Sequence, residues 1–498
     1  MTRTVRFFFL FLYLMAVVLG PAPQSLAEEM GKPNIVFMLV DNLGYGDIGA
    51  YGGGELRGAP TPKIDQLAAE GLRLTNFNVE PECIPSRSAL MTGRMPIRSG
   101  LDRPVAKPGK LAGLSPWEVT LPELLKLAGY RTAMYGKWHL GEQNGRLPND
   151  QGFDEWWGFP KSSGETLREL QPGWTHEVAP NQPLLEGKVG QSSKKAGVYD
   201  LAMRPLMDEM ITERSVAYIR EQAGSKQPFF LYVPFSLPHS PPLPNPKFAD
   251  KGKTDYQNAL REIDANSGAI LDALASAGIA DDTIVVWASD NGPETLQGIG
   301  VQYGAQADSG PFRGEFPSAW EGAIRTPAII RWPGHIPANR TSNEMVSITD
   351  FYATFARMAG VESSIPRDRA IDSVDQSDLF LGKETQSKRE HVMFFYDNTL
   401  LALKWRNMKV HFQVRNPADG PVRVAGQGVV NGYAMTLNYP WVFNLENDPK
   451  ELWNLGSTSE WVGPPVARIQ SRYFRSLAQF PNLQPGQVEP VQSQSEPK

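Results

Sequence analysis

The chain of 498 residues has one cysteine, Cys83, so no disulfide can close within it. It has no run of basic residues and a formal net charge of -5, which excludes the electrostatic footprint of a nucleic-acid binder. Sequence repeats are missing too. The 46 glycines and 42 prolines are spread without period, which argues against a solenoid or a helical bundle. No apolar stretch has the roughly 20 residues needed to cross a bilayer, so no membrane anchor is expected. What is present is a chain 41% hydrophobic and 21% charged, too apolar to stay disordered and long enough to bury a large core.

The main apolar run lies at the start. Arg3 and Arg6 precede a run over residues 7–19, and Ser25, Leu26 and Ala27 offer a small-x-small cleavage site. That is the pattern of a signal peptide over residues 1–27. No cysteine directly follows the run, which excludes lipid attachment there. The mature protein is therefore expected to be exported, periplasmic or secreted. A lone thiol in an oxidising compartment is either buried or used, and composition alone leaves both open for Cys83.

Short apolar runs at residues 34–40, 229–233 and 283–288 read as strands buried on both faces. Helical stretches lie between and around them at 63–72, 121–127, 207–222 and 256–277. In the last, Leu260, Ile263, Ile270, Leu271 and Leu274 share a face suited to lie on a sheet. This is the α/β class, with a large mixed, mostly parallel sheet flanked by helices. From about residue 386 the pattern changes to β-like runs at 392–396, 400–405 and 408–413. The expected division is a main domain over 31–385, a smaller antiparallel C-terminal subdomain over 386–480, and a tail over 484–498 too polar to fold.

Two strand ends carry similar chemistry. The first run delivers Asp41 and Asn42 into a turn with Gly44 and Gly46; the third delivers Asp290 and Asn291 before Gly292. Ligands of open α/β sheets gather beyond the carboxyl ends of the strands. Two Asp-Asn pairs there form a set of hard oxygen donors suited to Ca²⁺ or Mg²⁺. Each pair is also ordinary turn composition, so the residues alone leave both open.

Residues 83–94 read Cys-Ile-Pro-Ser-Arg-Ser-Ala-Leu-Met-Thr-Gly-Arg. This stretch resembles the sulfatase signature, C-x-P-S-R followed by L-x-T-G-R. Other segments agree: Pro33 through Asp47 with its metal loop, Gly136-Lys137-Trp138-His139-Leu140-Gly141, Ser289-Asp290-Asn291-Gly292, Trp320-Glu321-Gly322 with Arg325-Thr326-Pro327, and Phe443-Asn444-Leu445 with Asp448, Pro449 and Glu451. The resemblance spans roughly residues 33–456.

The resemblance implies a sulfuric ester hydrolase of the formylglycine-dependent, arylsulfatase-like type, with the alkaline phosphatase superfamily fold and a catalytic domain over 31–385. Its substrate would be an aryl or similar small-molecule or glycan sulfate ester. Cys83 would be converted to formylglycine by a cysteine-modifying enzyme during maturation. Asp41, Asn42, Asp290, Asn291 and the modified Cys83 would hold Ca²⁺ or Mg²⁺. Arg87, one helical turn after Cys83, would reach the nucleophile or the sulfate. Lys137 and His139 would grip the same anion, pointing the same way if their stretch is extended, with Trp138 in the core. His239 would give a proton to the leaving oxygen. His176, His335, His391 and His411 fall outside these motifs and read as structural or surface residues.

Two departures stand out. Relatives commonly have Asp-Asp where this chain has Asp41-Asn42, which removes a charge from the metal loop. They also often have a lysine five residues before Glu321, where this chain has Phe316. No lysine lies between Lys253 and Lys383, and Arg313 is the nearest cation, a candidate substitute for binding substrate. Losing Asp290 is expected to lower stability only where a divalent cation contributes. Two other functions fit parts of the pattern: a phosphate or phosphonate ester hydrolase on the same fold, and a non-catalytic binding protein. A binder has no need of the full set Cys83, Arg87, Lys137, His139, Asp290 and Asn291.

Overall fold

Strand β1, Asn34–Asp41, is buried beyond its first residue, as an apolar run requires when both faces of a sheet are covered. The computed structural model describes residues 26, 30–102, 113–294, 307–416 and 433–482. Apart from Leu26, the expected leader lies outside them, as does the expected tail.

Ten further strands join β1: β2 Leu72–Asn78, β3 Arg131–Lys137, β4 Glu155–Phe159, β5 Pro183–Lys188, β6 Lys194–Val198, β7 Phe229–Pro238, β8 Thr283–Ser289, β9 Arg325–Arg331, β10 Arg340–Ser342 and β11 Val346–Ser347. Their order is β10-β2-β9-β8-β1-β7-β3-β4-β5-β6, with β11 beside β2. The central strands β8, β1, β7, β3 and β4 are parallel. β9 runs antiparallel to both β8 and β2, so β2 points the same way as β8. The loops after β1, β2, β3, β7 and β8 therefore leave one edge of the sheet.

The main helices are α1 Pro62–Ala69, α2 Cys83–Thr92, α3 Leu121–Leu127, α4 Met207–Gln222, α5 Asp255–Ser276, α6 Phe351–Met358 and α7 Gly463–Gln479. Alternate residues of β1 serve opposite cores. Ile35, Phe37 and Leu39 pack with Phe351 and Phe355 of α6, the Phe37 and Phe351 ring centroids 5.0 Å apart. Val36, Met38 and Val40 pack with Leu260, Ile263, Ile270 and Leu274 of α5, while Leu271 is only half-buried at that cluster's margin. Each such buried side chain contributes about 1.5–3 kcal/mol, and the two layers fix the height at which the strand ends emerge.

Two elements differ from expectation. The helix expected over 63–72 stops at Ala69, and Leu72 opens β2 by pairing with Ile330; Gly71 permits the close approach, because a Cβ there would lie 2.3 Å from the Ile330 carbonyl. β7 continues to Pro238, five residues past its expected end. Prolines 234 and 238 remove ladder donors, but pairing with β3 has already ended at Tyr232.

The remaining strands, β12 His391–Tyr396, β13 Thr399–Trp405, β14 Met408–Asn416 and β15 Tyr433–Asn444, form a separate antiparallel sheet in that order. α7 covers it through Val466, Ile469 and Tyr473. Buried Lys404 and Lys409 fasten this sheet to the main one, reaching Glu321 at 2.8 and 3.0 Å. Among the described residues no helix is long and apolar enough to cross a membrane.

Candidate active site

Five loops at one sheet edge bring their chemistry together. β1 ends in Asp41, and Asn42 follows in the left-handed conformation with φ of 65°, which asparagine tolerates better than most residues. Its backbone N–H donates to Asp290 Oδ1 at 3.0 Å, so the two Asp-Asn pairs are joined directly. Gly292 lets the second loop pack tightly: a Cβ there would lie 2.0 Å from the Gly322 carbonyl. The first loop is braced by buried Asp47, which accepts from Gly44 N at 2.8 Å and the Tyr256 hydroxyl at 2.6 Å. Burial pushes the Asp47 carboxyl up to about 7.

Cys83 is the first residue of α2, a helix buried along its length. Its sulfur lies 3.5 Å from Asp41 Oδ1 and 3.3 Å from Asn42 Oδ1. One ligand atom each from Asp41, Cys83 and His239 falls within 4.8 Å of the others. Burial raises the thiol well above its ordinary value, so it stays protonated and weakly nucleophilic. The helix N-terminus adds a partial positive charge at this point.

Arg87 sits one turn further along, fully buried. It donates to Asp290 Oδ2 through Nε at 3.1 Å and Nη2 at 2.7 Å, and to the Lys137 carbonyl at 2.9 Å. The same Nη2 is 3.5 Å from Asp41 Oδ1, so Arg87 bridges the two aspartates. Lys137, the last residue of β3, gives Nζ to both Asp41 oxygens at 3.0 and 2.7 Å. Burial alone would raise the Asp41 carboxyl, but Lys137, His239 and Arg87 outweigh it and hold the group well below the carboxylate range.

The stretch after Lys137 is not extended. β3 ends there and His139 turns with φ of 61°, while Trp138 is wholly buried in the core. His139 still stands among these charges: burial, then Lys137 and Arg87, lower its pKa well below the ordinary value. Its buried Nδ1 has no hydrogen-bond partner among the described residues, which leaves it free for a ligand. His239 follows β7 directly, with Nδ1 2.7 Å from the Ser240 carbonyl and Nε2 3.3 Å from Ser162 Oγ.

Arg313 is used elsewhere. Its guanidinium lies 4.1 Å over the Trp320 ring and donates to the Glu451 carbonyl at 3.3 Å, at the junction with the second sheet. Phe316 is buried and its N–H bonds the Pro293 carbonyl at 3.1 Å, beside the Asp290 loop. The other histidines are variously engaged: His176 is edge-on to Trp174, His335 lies against Trp332, His391 is half-buried, and His411 bonds Glu451 at 2.7 Å.

Three site residues carry no sequence motif. Glu294 accepts from Asn42 Nδ2 at 3.0 Å and lies 3.7 Å from His239 Nδ1; its only signal is standing four residues after Asp290. Ser163 donates to Asp41 Oδ2 at 3.1 Å, and Ser162 faces His239. Both sit in a loop without recognisable pattern.

The donor set fits a hard divalent cation. Asp41 and Asn42 offer oxygens beside Cys83, Asp290 and Asn291 are joined to Asn42, and Asn291 Oδ1 is buried without a hydrogen-bond partner among the described residues; oxygen-rich sites of this kind suit Ca²⁺ or Mg²⁺.

Residues 33–361 match the family described as Sulfatase, and residues 317–463 match N-sulphoglucosamine sulphohydrolase, C-terminal. The chain belongs to the sulfatase family. This sulfatase is 33% identical to the N-acetylgalactosamine-6-sulfatase of Canis lupus familiaris over 467 residues, covering 89% of this chain and 86% of that protein. Arylsulfatase A of Bos taurus is 33% identical over 475 residues, covering 90% and 88%. The PsFucS1 sulfatase from Pseudoalteromonas sp. superposes with a TM-score of 0.84 at 33% identity, covering 93% of this chain and 94% of that one. The protein is thus a sulfuric ester hydrolase, in place of the phosphoryl hydrolase or binding protein that parts of its sequence also allowed.

Proposed function

We propose that this sulfatase is exported and hydrolyses sulfate esters of phenols, sugars or similar small alcohols, using a formylglycine made from Cys83 by a formylglycine-generating enzyme. The observation that carries this reading is the seat of Cys83, against Asp41 and Asn42 at the start of a buried helix. A protonated thiol there is a poor nucleophile. An aldehyde hydrate at the same position has two hydroxyls. One attacks sulfur as its proton passes to a site carboxylate and the S–O bond to the alcohol breaks, the alcohol taking a proton from His239; the other then gives its proton to the imidazole that His239 has become, the C=O bond reforms, and the C–O bond to sulfate breaks. Water adds to the aldehyde to restore the hydrate.

Ca²⁺ or Mg²⁺ on Asp41, Asn42, Asp290, Asn291 and residue 83 would supply Lewis-acid polarisation of a sulfate oxygen. Lys137 and Arg87 supply fixed positive charge for the anion, and His139, kept neutral by burial and these two cations, supplies a ring nitrogen for a hydrogen bond in a buried site. Cys83 is only 2% exposed and His239 7%, which favours a terminal sulfate entering while the alcohol part stays at the mouth. Relatives named for an aryl and for a carbohydrate sulfate are equally similar, which supports both alcohol classes.

The mass of the proteolytic peptide containing residue 83 tests the mechanism. It is expected below that of the encoded cysteine peptide, with turnover of both 4-nitrophenyl sulfate and N-acetylgalactosamine 6-sulfate measured on the same preparation. Cys83→Ala is expected to fold and be inactive. An intact, alkylatable thiol on active enzyme overturns the mechanism.

A further inference from the structure

The loop that carries His239 is gripped by two side chains at and just before the start of α4. Arg204, only 1% exposed, donates through Nη2 to the Ser236 carbonyl at 2.9 Å and the His239 carbonyl at 2.7 Å, and through Nη1 to Ser236 Oγ. Four residues on, buried Asp208 at the start of α4 accepts the N–H groups of Ser236 and Leu237, each at 2.8 Å. These contacts fall where β7 has lost its β3 ladder. Side chains thus take over the backbone groups that the sheet no longer pairs, as buried polar groups require.

The consequence reaches the imidazole. With the His239 carbonyl tied to Arg204 and the preceding N–H groups tied to Asp208, the backbone has little freedom to rotate the ring. The ring is then oriented by the Ser240 carbonyl, which only accepts, so Nδ1 carries hydrogen and Nε2 is the nitrogen left for proton transfer. A general acid works only within hydrogen-bond reach of the atom it protonates.

We propose that Arg204 and Asp208 are positioning residues for His239, a clamp that sets where its Nε2 stands when the alcohol leaves. This rests on His239 being the proton donor. The guanidinium places two nitrogens at a fixed spacing, Nη2 on the two carbonyls and Nη1 on Ser236 Oγ, and the single nitrogen of a lysine ammonium cannot reproduce that spacing. Arg204→Lys keeps the charge opposite Asp208 while losing the fork.

The test is the dependence of kcat/KM on the leaving phenol, across ring-substituted phenyl sulfates from 4-nitrophenyl to 4-methoxyphenyl, for wild type, Arg204→Lys and His239→Asn. Activated phenols leave without a proton and poor ones do not. Arg204→Lys is expected to stay within about threefold of wild type on 4-nitrophenyl sulfate and to fall by about a hundredfold on the 4-methoxyphenyl ester, with Ca²⁺ affinity unchanged. His239→Asn should show the same steepening. A loss by one common factor on every ester, or no loss, with His239→Asn still steep, overturns the clamp and leaves the acid. A flat response in His239→Asn overturns the assignment of the acid and the clamp with it. If Arg204→Lys does not fold, Asp208→Asn, which keeps one acceptor oxygen, carries the same forecast through the same series.

Discussion

The carboxylate of Glu294 holds the side-chain amide of Asn42 by its nitrogen, at 3.0 Å. A carboxylate only accepts, so the amide must turn its NH₂ towards Glu294. Its oxygen is thereby left facing Asn291 Nδ2 at 2.7 Å and the Cys83 sulfur at 3.3 Å. This is how an amide serves in a loop where the resemblance implies a second aspartate. Glu294→Gln can donate as well as accept, so the amide loses its fixed sense. Calcium affinity, measured by calorimetry on purified protein, should fall by about tenfold or more. Unchanged affinity would show that Asn291 alone orients the group.

Asp290 is expected to matter to the fold even without metal. Sequence alone ties its stability effect to a bound cation, but the structure gives it two bonds from a fully buried Arg87. Removing Asp290 leaves the buried Arg87 with only the longer 3.5 Å carboxylate contact, to Asp41, and losing one partner of a buried pair costs about 3–5 kcal/mol. Asp290→Ala should therefore lower the denaturant midpoint in chelator as well as in calcium. Chelation of the wild type should abolish turnover without that loss. Full turnover by chelated protein would mean that the Asp-Asn pairs are turn residues and hold no required ion.

Strands 34–40 and 283–288 were legible because apolar runs this short, closed by Asp-Asn and glycine, suit a doubly covered sheet better than a buried helix, and the motifs at their ends then located Asp41, Asn42, Asp290 and Asn291. Helix α4 was legible to its end residues. Hidden from sequence was whatever depends on a partner far along the chain. Leu72 reads as the end of a helix until Ile330 pairs with it. Pro234 reads as a strand end until the side chain of Asp208 replaces the missing ladder. Lys137 and His139 looked like one alternating strand, yet β3 ends at Lys137 and His139 is itself left-handed. Glu294, Ser162 and Ser163 have no motif because their roles are defined by contacts across loops.

Acid should destabilise the protein through histidines that folding keeps neutral. Burial, then Arg389 and Arg472, push His391 down to about 4, whereas in the unfolded chain it titrates near about 6.5. Between those values the unfolded state binds the extra proton, so stability is complete above about 6.5 and falls as the pH drops towards about 4. His139 and His411 are lowered in the same direction. His391→Gln should reduce the slope of Tm against pH in that window and leave Tm above pH 7 nearly level. An unchanged slope would show that His391 gains its proton in the folded state.

Arg313 and Phe316, near and at the position where the resemblance implies a lysine, are expected to serve structure and specificity respectively. A guanidinium stacked on Trp320 and bonded to the Glu451 carbonyl is committed to the junction between the two sheets, and such a stack is worth about 0.5–2 kcal/mol. Arg313→Ala should therefore lower Tm, with kcat/KM within about threefold of wild type on every sulfate ester. A cation that touched the sulfate would behave differently, because deleting one preorganised donor costs about a hundredfold on all esters alike. A uniform hundredfold loss in Arg313→Ala would thus return Arg313 to the substrate. Phe316 is bonded through its backbone N–H to the Pro293 carbonyl beside the Asp290 loop and brings a buried apolar side chain in place of charge. Phe316→Ala should then change the ranking of substrates by their alcohol part, weakening aryl esters more than sugar esters. Equal losses on both would place the ring outside the substrate's reach and leave the sulfate to Lys137, His139 and Arg87 alone.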